Sequence, residues 1–263
     1  MSTRVKRYRR WTPTKFGASG PLIVIDPHRD QSAVTITNQN TRNSTITWAA
    51  DAPDAQAATL VTAAAGLNGN RGLDFDGTDD AYICAVEAVD FEGAAPWHVM
   101  LVVDPDAVDN TIFGKIDSAA GDRGWRIYAL GSTGNWGVHL YNDDVANLEC
   151  EVRFADASLA AAGLVDFDYT GSGDAAGLTA RRNNSALTPT TIRDLLAGLT
   201  ILNASLPRIA RYATGGAGSF WGGVVYYFAL WDTAASPLPS AASLYRARRH
   251  LGRRFNFSIT GGA

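Results

Sequence analysis

The sequence has very few residues of the kinds that usually carry metal or redox chemistry. It contains two cysteines, two methionines and four histidines in 263 residues. Cys84 and Cys150 lie in strand-like segments without a surrounding cysteine framework, so we interpret them as buried free thiols. No Cys/His cluster has the spacing of a zinc site, and no glycine-rich phosphate-binding motif follows a strand. The sequence therefore gives no support to structural zinc sites or nucleotide-phosphate loops.

Long apolar segments are also lacking. No apolar run reaches 18 residues, so we expect no membrane insertion. The basic start of the chain is not followed by an apolar stretch, and a cleavable secretory signal is therefore not expected.

The composition that remains is typical of one folded domain. Hydrophobic residues make up 46% of the chain, which is enough for a full-sized core. The 26 glycines and ten prolines are scattered along the chain, as expected for many turns between short strands. We expect a single domain over residues 21–263, preceded by an extended arm over residues 1–20.

Short strand-like segments recur at intervals of roughly 12 residues. Trp97–Val103 is rich in β-formers, and residues 148–154 alternate cleanly between apolar and charged side chains. A helix capped by Ser240 and ending near Arg254 is predicted, with Leu244, Ala247 and Leu251 on one stripe. Thr191–Ala197 is interpreted as a short helix or an ordered loop. No parallel βαβ alternation is present, so the pattern predicts an all-β, antiparallel β-sandwich of the jelly-roll type.

Charge is distributed unevenly along the chain. Residues 1–16 hold six basic residues and residues 233–263 hold five, both without an acid, which leaves twelve basic against 26 acidic residues between them. Each basic end either is an interaction tail or lies on the acidic body of its own or a neighbouring subunit. Nucleic acid is not the favoured partner. Candidate docking residues in the arm are Arg7, Tyr8, Arg9, Arg10 and Trp11.

An acidic turn separates two short strands at residues 72–83. Glycine and aspartate favour a tight turn there, because glycine accepts a positive φ and aspartate side chains bind nearby backbone amides. Asp76, Asp79 and Asp80 either only shape this turn or also coordinate Ca²⁺ or a sugar hydroxyl.

In their order along the chain, these pieces resemble the concanavalin A-like, laminin-G-type jelly roll. Phe75–Tyr82 resembles the family's Phe-Asp-Gly-x-Asp-Asp-Tyr opening with one inserted alanine, and Phe220–Trp231 resembles its closing strand, with Tyr226 in place of the family's acid. Leu244–Gly252 is similar to the terminal helix of bacterial and bacteriophage members. The resemblance covers roughly residues 22–254 and implies a glycan-binding domain of the kind found in virion proteins.

Aromatic residues give the best sequence signal for sugar binding. Trp125, Tyr128, Trp136 and Tyr141 lie on two strands that we expect to be adjacent. Their rings could stack on pyranose C–H groups, and the alternative is that they fill the core. The four form our candidate glycan groove.

Catalytic patterns are weak. Some relatives of this fold hydrolyse polysaccharides with three acids on one strand, and the nearest match here is Glu149-Cys-Glu151, which lacks the middle and third acids. We interpret these two glutamates as a solvated strand face paired with its neighbours. The four histidines are scattered and give no argument for a Ser-His-Asp arrangement.

The sequence therefore predicts a non-enzymatic bacteriophage virion surface protein, in the tail, a fibre or the head decoration, that binds host cell-surface glycans. The arm would dock onto other virion subunits, and a homo-oligomer is expected because weak sugar sites gain from multivalency. One alternative is a purely structural decoration or scaffold subunit, and a less favoured one is a polysaccharide hydrolase. The expected location is the virion, assembled in the host cytoplasm.

Overall fold

A computed structural model of the chain describes residues 21–28, 35–37, 46–51, 55–62, 67–85, 89, 92–106, 109–117, 122–143, 148–196, 200–212, 220–232 and 238–261. The arm predicted over residues 1–20 lies outside the described residues, and so do the docking candidates Arg7, Tyr8, Arg9, Arg10 and Trp11.

Seventeen strands and one α-helix are described. In chain order the strands are β1 Ile23–Ile25, β2 Thr35–Thr37, β3 Thr47–Ala50, β4 Thr59–Thr62, β5 Arg71–Asp76, β6 Tyr82–Cys84, β7 Trp97–Pro105, β8 Asn110–Asp117, β9 Arg123–Leu130, β10 Asn135–Asp143, β11 Leu148–Ala155, β12 Gly163–Tyr169, β13 Leu178–Arg182, β14 Ser185–Ala186, β15 Thr188–Asp194, β16 Arg208–Ile209 and β17 Gly222–Asp232. The helix α1 spans Ala241–Phe255, and a short 3₁₀ turn spans Ala175–Gly177.

The strands form two sheets. The eight-stranded sheet has the order β14-β13-β12-β7-β17-β5-β4, with β1 also paired to β17. The nine-stranded sheet has the order β15-β11-β10-β9-β8-β16-β6-β3-β2. Every pairing between named strands is antiparallel. The predicted antiparallel β-sandwich with one C-terminal helix is therefore confirmed.

The two sheets bury a common core, and the helix covers the outer face of the eight-stranded sheet. Strand β7 shows both environments: Trp97, Val99, Leu101 and Val103 point into the core between the sheets. Met100 and Val102 point the other way, into a second apolar cluster that contains the helix stripe. Because β7 is buried on both faces, its sequence is almost continuously apolar rather than alternating.

The helix follows its sequence signals closely. The Ser240 side chain caps it by accepting a hydrogen bond from the Ser243 amide at 3.3 Å, and Asn256 ends it in the left-handed conformation with φ of 62°. The predicted apolar stripe is extended by one turn, since Phe255 is buried together with Leu244, Ala247 and Leu251.

Part of the basic C-terminal segment lies on the acidic body of the same chain. Arg248 donates two hydrogen bonds to Asp166 on β12, at 3.0 and 2.5 Å, and Arg254 binds both oxygens of Asp26 at 2.6 Å. Arg246, Arg249 and Arg253 remain exposed on the outer side of the helix.

Thr188–Asp194 is an exposed edge strand of the nine-stranded sheet, which corrects the helix-or-loop interpretation of residues 191–197. Cys84 and Cys150 are buried free cysteines, as predicted. Within the described part of the chain, no helix combines the length and apolar character needed to cross a bilayer.

Candidate functional site

The outer face of the nine-stranded sheet carries a dense polar and aromatic cluster. Since side chains alternate along a strand, the residues of β9, β10, β11 and β15 that do not point into the core share this face. We call it the arginine–tyrosine face. It consists of Arg126, Tyr128, His139, Tyr141, Glu149, Glu151, Arg153, Arg193 and, from the segment after β16, Tyr212.

One part of this face is organised around Glu151. Its Oε1 accepts a 2.5 Å hydrogen bond from the Tyr128 hydroxyl and a 2.7 Å bond from Arg153 Nε. Gly137 on the intervening strand makes room for the Tyr128 ring, because a Cβ atom at that position would lie 2.0 Å from Tyr128 Cζ. The missing side chain therefore lets a tyrosine of β9 reach across β10 to a glutamate of β11.

Another part is organised around Glu149. Its Oε2 lies 2.6 Å from His139 Nε2, and its Oε1 lies 2.5 Å from Arg193 Nε on the edge strand β15. The His139 ring also stacks on Tyr141, with 3.6 Å between the ring centroids. Glu149 is thus held from two neighbouring strands, and only 2% of its side chain is exposed.

The Arg126 guanidinium is surrounded by three tyrosine rings. Its Cζ lies 4.6 Å from the centroid of Tyr128, 5.6 Å from that of Tyr141 and 4.7 Å from that of Tyr212. These distances are typical of cation–π contacts. Arg126 Nε is buried and makes no hydrogen bond in the structure.

Burial fixes the protonation states on this face. It lowers the pKa of His139 to about 2, helped by Arg126, Arg193 and Arg153, so the imidazole is neutral and donates its Nε2–H to Glu149. Burial also raises the pKa of Tyr128, with a further contribution from Glu151, and raises the pKa of Tyr141 well above its usual range. The same effect raises the pKa of Tyr212 to about 12. All three tyrosines therefore keep their hydroxyl protons near neutral pH.

Two of the four predicted glycan-stacking residues do not reach this face. Trp125 and Trp136 point into the core between the sheets, where 1% and 0% of their surface is exposed. A sugar cannot stack on either ring, which corrects the predicted groove for these positions. The reason is the alternation along β9 and β10, which places them on the opposite side from Arg126 and His139.

The other two predicted residues, Tyr128 and Tyr141, do lie on the face, but as its buried floor. Sequence reasoning missed Arg126, His139, Arg193 and Tyr212 as members of the same cluster. The two glutamates were recognised as one strand face, yet Glu149 and Glu151 are buried rather than solvated. The alternation of residues 148–154 indicates that the two glutamates share one face of a strand. The other members of the cluster lie on neighbouring strands, and the sequence does not show which strands are neighbours.

The acidic turn is formed as the sequence suggested. Asp76, Asp79 and Asp80 each offer an oxygen within 4.8 Å of the others. Asp76 Oδ1 accepts the amides of Thr78 and Asp79 at 2.7 and 3.1 Å, and Asp80 Oδ2 accepts the Asp76 amide at 3.0 Å. The carboxylates therefore hold the turn. Their oxygen atoms also suit Ca²⁺ in ligand type.

A second group of metal-type ligands lies on the outer face of the eight-stranded sheet. His98 Nδ1 is 2.5 Å from Asp168, and Arg181 and Arg248 pair with Asp168 and Asp166 respectively. Although burial opposes ionisation, His98 and Arg181 hold the pKa of Asp168 well below its usual range. Two guanidiniums already neutralise the two carboxylates, and the Arg248–Asp166 pair connects α1 to strand β12.

Comparison with known proteins gives structural similarity only. No protein-family model matches the sequence, and no curated protein matches it. The binding domain of botulinum neurotoxin serotype D is similar in fold, with 9% identity, a TM-score of 0.59, and coverage of 91% of this chain and 53% of that chain. A structure of botulinum neurotoxin type C, whose cell entry depends on interaction with two ganglioside molecules, gives 11% identity, a TM-score of 0.54, and coverage of 88% and 51%. This chain spans about half the length of those domains.

A CBM40 domain shows weaker similarity. The CBM40 domain of the Ruminococcus gnavus IT-sialidase, bound to α2,3 sialyllactose, gives 10% identity and a TM-score of 0.44 over 67% of this chain and 95% of that one. The neurotoxin domains agree with the β-sandwich fold described above.

Proposed function

We propose that this protein is a non-enzymatic carbohydrate-binding β-sandwich whose ligand binds the arginine–tyrosine face. The observation that carries the proposal is the fixed arrangement of polar groups there. Two buried glutamates each bind an arginine and a second donor, and those arginines extend outward, with 37% of the Arg153 side chain and 43% of the Arg193 side chain exposed.

Stability alone does not account for this arrangement. Buried ion pairs contribute little net stability, because the cost of removing both charges from water offsets their attraction. Apolar residues or freely solvated ones would serve the outer face of a sheet as well. Polar groups locked by neighbours are instead what a binding site requires, since little side-chain freedom is lost when a ligand arrives.

The chemistry of the face suits a saccharide. Sugar hydroxyls need donors and acceptors in fixed positions, and the guanidiniums of Arg153 and Arg193 offer planar arrays of donors. Thr190 lies directly opposite Arg153 on β15 and adds a hydroxyl, while the exposed Leu195 follows that strand and offers apolar contact for C–H groups. The ganglioside dependence of the similar botulinum neurotoxin type C makes glycans the ligand class to test first.

The same contacts argue against glycoside hydrolysis at this face. A hydrolase needs one carboxylic acid to donate a proton and another to act as nucleophile or base. Glu151 accepts hydrogen bonds from Tyr128 and Arg153, and Glu149 is bound by His139 and Arg193. Both carboxylates are thus engaged as acceptors within the protein.

We extend the proposal to the biological setting predicted from the sequence. The protein would act on a bacteriophage virion surface, in the tail, a fibre or the head decoration, and bind host glycans as a homo-oligomer. The basic aromatic segment of residues 1–16 would dock onto other virion subunits, and the protein would be found in the virion. The motif resemblance along residues 22–254 and the composition of that segment support this setting.

The proposal is tested by screening the full chain on a glycan array at near-physiological salt, with and without Ca²⁺. The double variant Arg153→Lys/Arg193→Lys keeps a positive charge beside each buried glutamate but removes the planar guanidiniums and their outer nitrogens. Arg246→Ala is the matched control, because Arg246 is an exposed arginine on the helix, which covers the other sheet. We expect specific retention by the wild type and by Arg246→Ala, and loss of retention by the double variant.

Two results would change these conclusions. If the folded wild type retains no glycan, carbohydrate binding is rejected and the purely structural subunit becomes the better account. If retention depends on Ca²⁺ and is lost in Asp80→Asn, the acidic turn is a calcium site.

Deleting residues 1–16 tests the docking proposal separately, since we expect the truncated protein to be folded but absent from purified particles.

A further inference from the structure

The exposed and buried charges of the arginine–tyrosine face differ in sign. The acids lie at the bottom, where 8% of the Glu151 side chain and 2% of the Glu149 side chain are exposed. The guanidiniums of Arg153 and Arg193 lie above them and are the parts that reach solvent. A ligand approaching this face therefore meets positive groups first.

Arg126 adds a positive charge that is held by aromatic rings and not by a carboxylate. Its guanidinium contacts three tyrosine rings, and it has no ion-pair partner among the residues that the structure describes. The residue is partly exposed. Three arginines thus stand against Glu149 and Glu151 on this face, His139 is neutral, and Asp122 lies beside the face through its hydrogen bond with Tyr212. Unlike Arg153 and Arg193, Arg126 is not paired with a carboxylate among the described residues.

The strand register places these groups in one row. Arg126 on β9 lies opposite His139 on β10, which lies opposite Glu151 on β11, and Glu151 lies opposite Arg193 on β15. At the usual spacing between strands, the Cα atoms of Arg126 and Arg193 are about 14 Å apart. The row therefore has an arginine at each end, and one of them lacks a carboxylate partner.

The tyrosine rings hold Arg126 without consuming its charge. An arginine that pairs with a carboxylate is neutralised, whereas one that stacks on aromatic rings keeps its full charge and its donors. Tyr128 and Tyr141 are themselves fixed, by Glu151 and by the His139 ring respectively. Arg126 is therefore preorganised as a cation, which suits bidentate recognition of a carboxylate or sulfate.

We propose that the ligand of this face is an anionic saccharide whose carboxylate or sulfate group binds Arg126. This inference rests on the proposed carbohydrate-binding function and adds the charge of the ligand to it. Arg153 and Arg193 flank the ligand and contact its uncharged parts through their outer nitrogens.

The test uses matched pairs of saccharides with the wild-type protein. Each acidic saccharide on an array is compared with the same saccharide after methyl esterification of its carboxylate or removal of its sulfate. We expect the neutral form to bind roughly 10- to 100-fold more weakly, as is usual when a charged hydrogen bond is lost. The two kinds of pair distinguish carboxylate from sulfate as the recognised group.

The variant Arg126→Gln assigns the preference to this residue. We expect it to bind the acidic and neutral forms equally, while Arg246→Ala keeps the wild-type preference. Circular dichroism checks that both variants are folded, and the paired saccharides test the ligand charge on the wild type even if Arg126→Gln does not fold.

The outcomes separate this inference from the proposed function. If the wild type binds esterified or desulfated saccharides as well as the acidic ones, the inference is overturned and carbohydrate binding stands. It is also overturned if folded Arg126→Gln keeps the preference. If no saccharide of any kind is retained, carbohydrate binding itself fails.

Discussion

The indole nitrogen of Trp136 donates a 2.7 Å hydrogen bond to Asp156 Oδ2 inside the protein. The same carboxylate oxygen accepts a 2.8 Å bond from Arg182 Nη1 on the eight-stranded sheet. Asp156 follows β11 of the nine-stranded sheet, so this buried carboxylate links the two layers of the sandwich. Trp136 is thus a structural residue, although its aromatic character suggested a sugar platform.

We expect Trp136→Phe to lower the free energy of unfolding by about 1–3 kcal/mol more than Trp48→Phe does. Both tryptophans are fully buried, but the Trp48 nitrogen makes no hydrogen bond, so its replacement removes only ring volume. Chemical denaturation of the two variants measures the difference. Equal destabilisation would show that the bond to Asp156 adds nothing. Glycan retention should be unchanged in Trp136→Phe.

Gly137→Ala is expected to disturb the arginine–tyrosine face by displacing the Tyr128 ring. The new Cβ would lie 2.0 Å from Tyr128 Cζ and 2.4 Å from its hydroxyl oxygen. We expect a loss of about 1–3 kcal/mol of stability, which is typical of overpacking. In a Tyr128→Ala background the same change should cost much less, and a double-mutant cycle measures this coupling. Additive effects would contradict the proposed contact.

The ion pair between Arg248 and Asp166 is expected to contribute more to stability than the exposed arginines of the helix. Asp166 is fully buried, so Arg248→Met would leave this carboxylate with only the longer ion pair to Arg181 at 3.7 Å, at a cost of up to about 3–5 kcal/mol. Arg249→Met should change stability by no more than about 0.5 kcal/mol, because Arg249 is exposed. Thermal or urea unfolding of both variants tests this, and similar effects for the two would refute the asymmetry.

His139 predicts a specific pH dependence of stability. Its ordinary pKa is 6.5 and burial lowers it to about 2 in the folded protein. Below pH 6.5 the unfolded chain therefore binds a proton that the folded chain does not. The contribution of the neutral His139 to the free energy of unfolding is fully present above pH 6.5. It declines as the pH falls towards 2, by at most about 1.4 kcal/mol per pH unit.

The variant His139→Gln isolates this effect. Between pH 6 and 4.5, we expect the free energy of unfolding to fall more steeply for the wild type than for the variant. Urea titrations at several pH values measure the two slopes. Parallel slopes would mean that His139 is not held neutral in the fold.

Local patterns in the sequence determined much of the fold. The apolar run of β7, the alternation of residues 148–154 and the capped stripe from Ser240 onward are each set by neighbours within a few residues, so they could be predicted. The Asp-Gly turn at residues 76–77 is local in the same way. By contrast, the strand Thr188–Asp194 is exposed along its length and owes its conformation to pairing with β11, so its sequence carried no strand signal.

Tertiary structure alone decided which side of β9 and β10 faces outward. Alternation divides each strand into two faces but does not label them, and both faces here carry aromatic rings. Packing of the second sheet buries the side that carries Trp125 and Trp136, which leaves Arg126 and His139 on the outer face. The pairing of Arg193 with Glu149 joins residues 44 positions apart, through a strand register that no local pattern encodes. The candidate site is therefore a product of the sheet, although each of its residues is visible in the sequence.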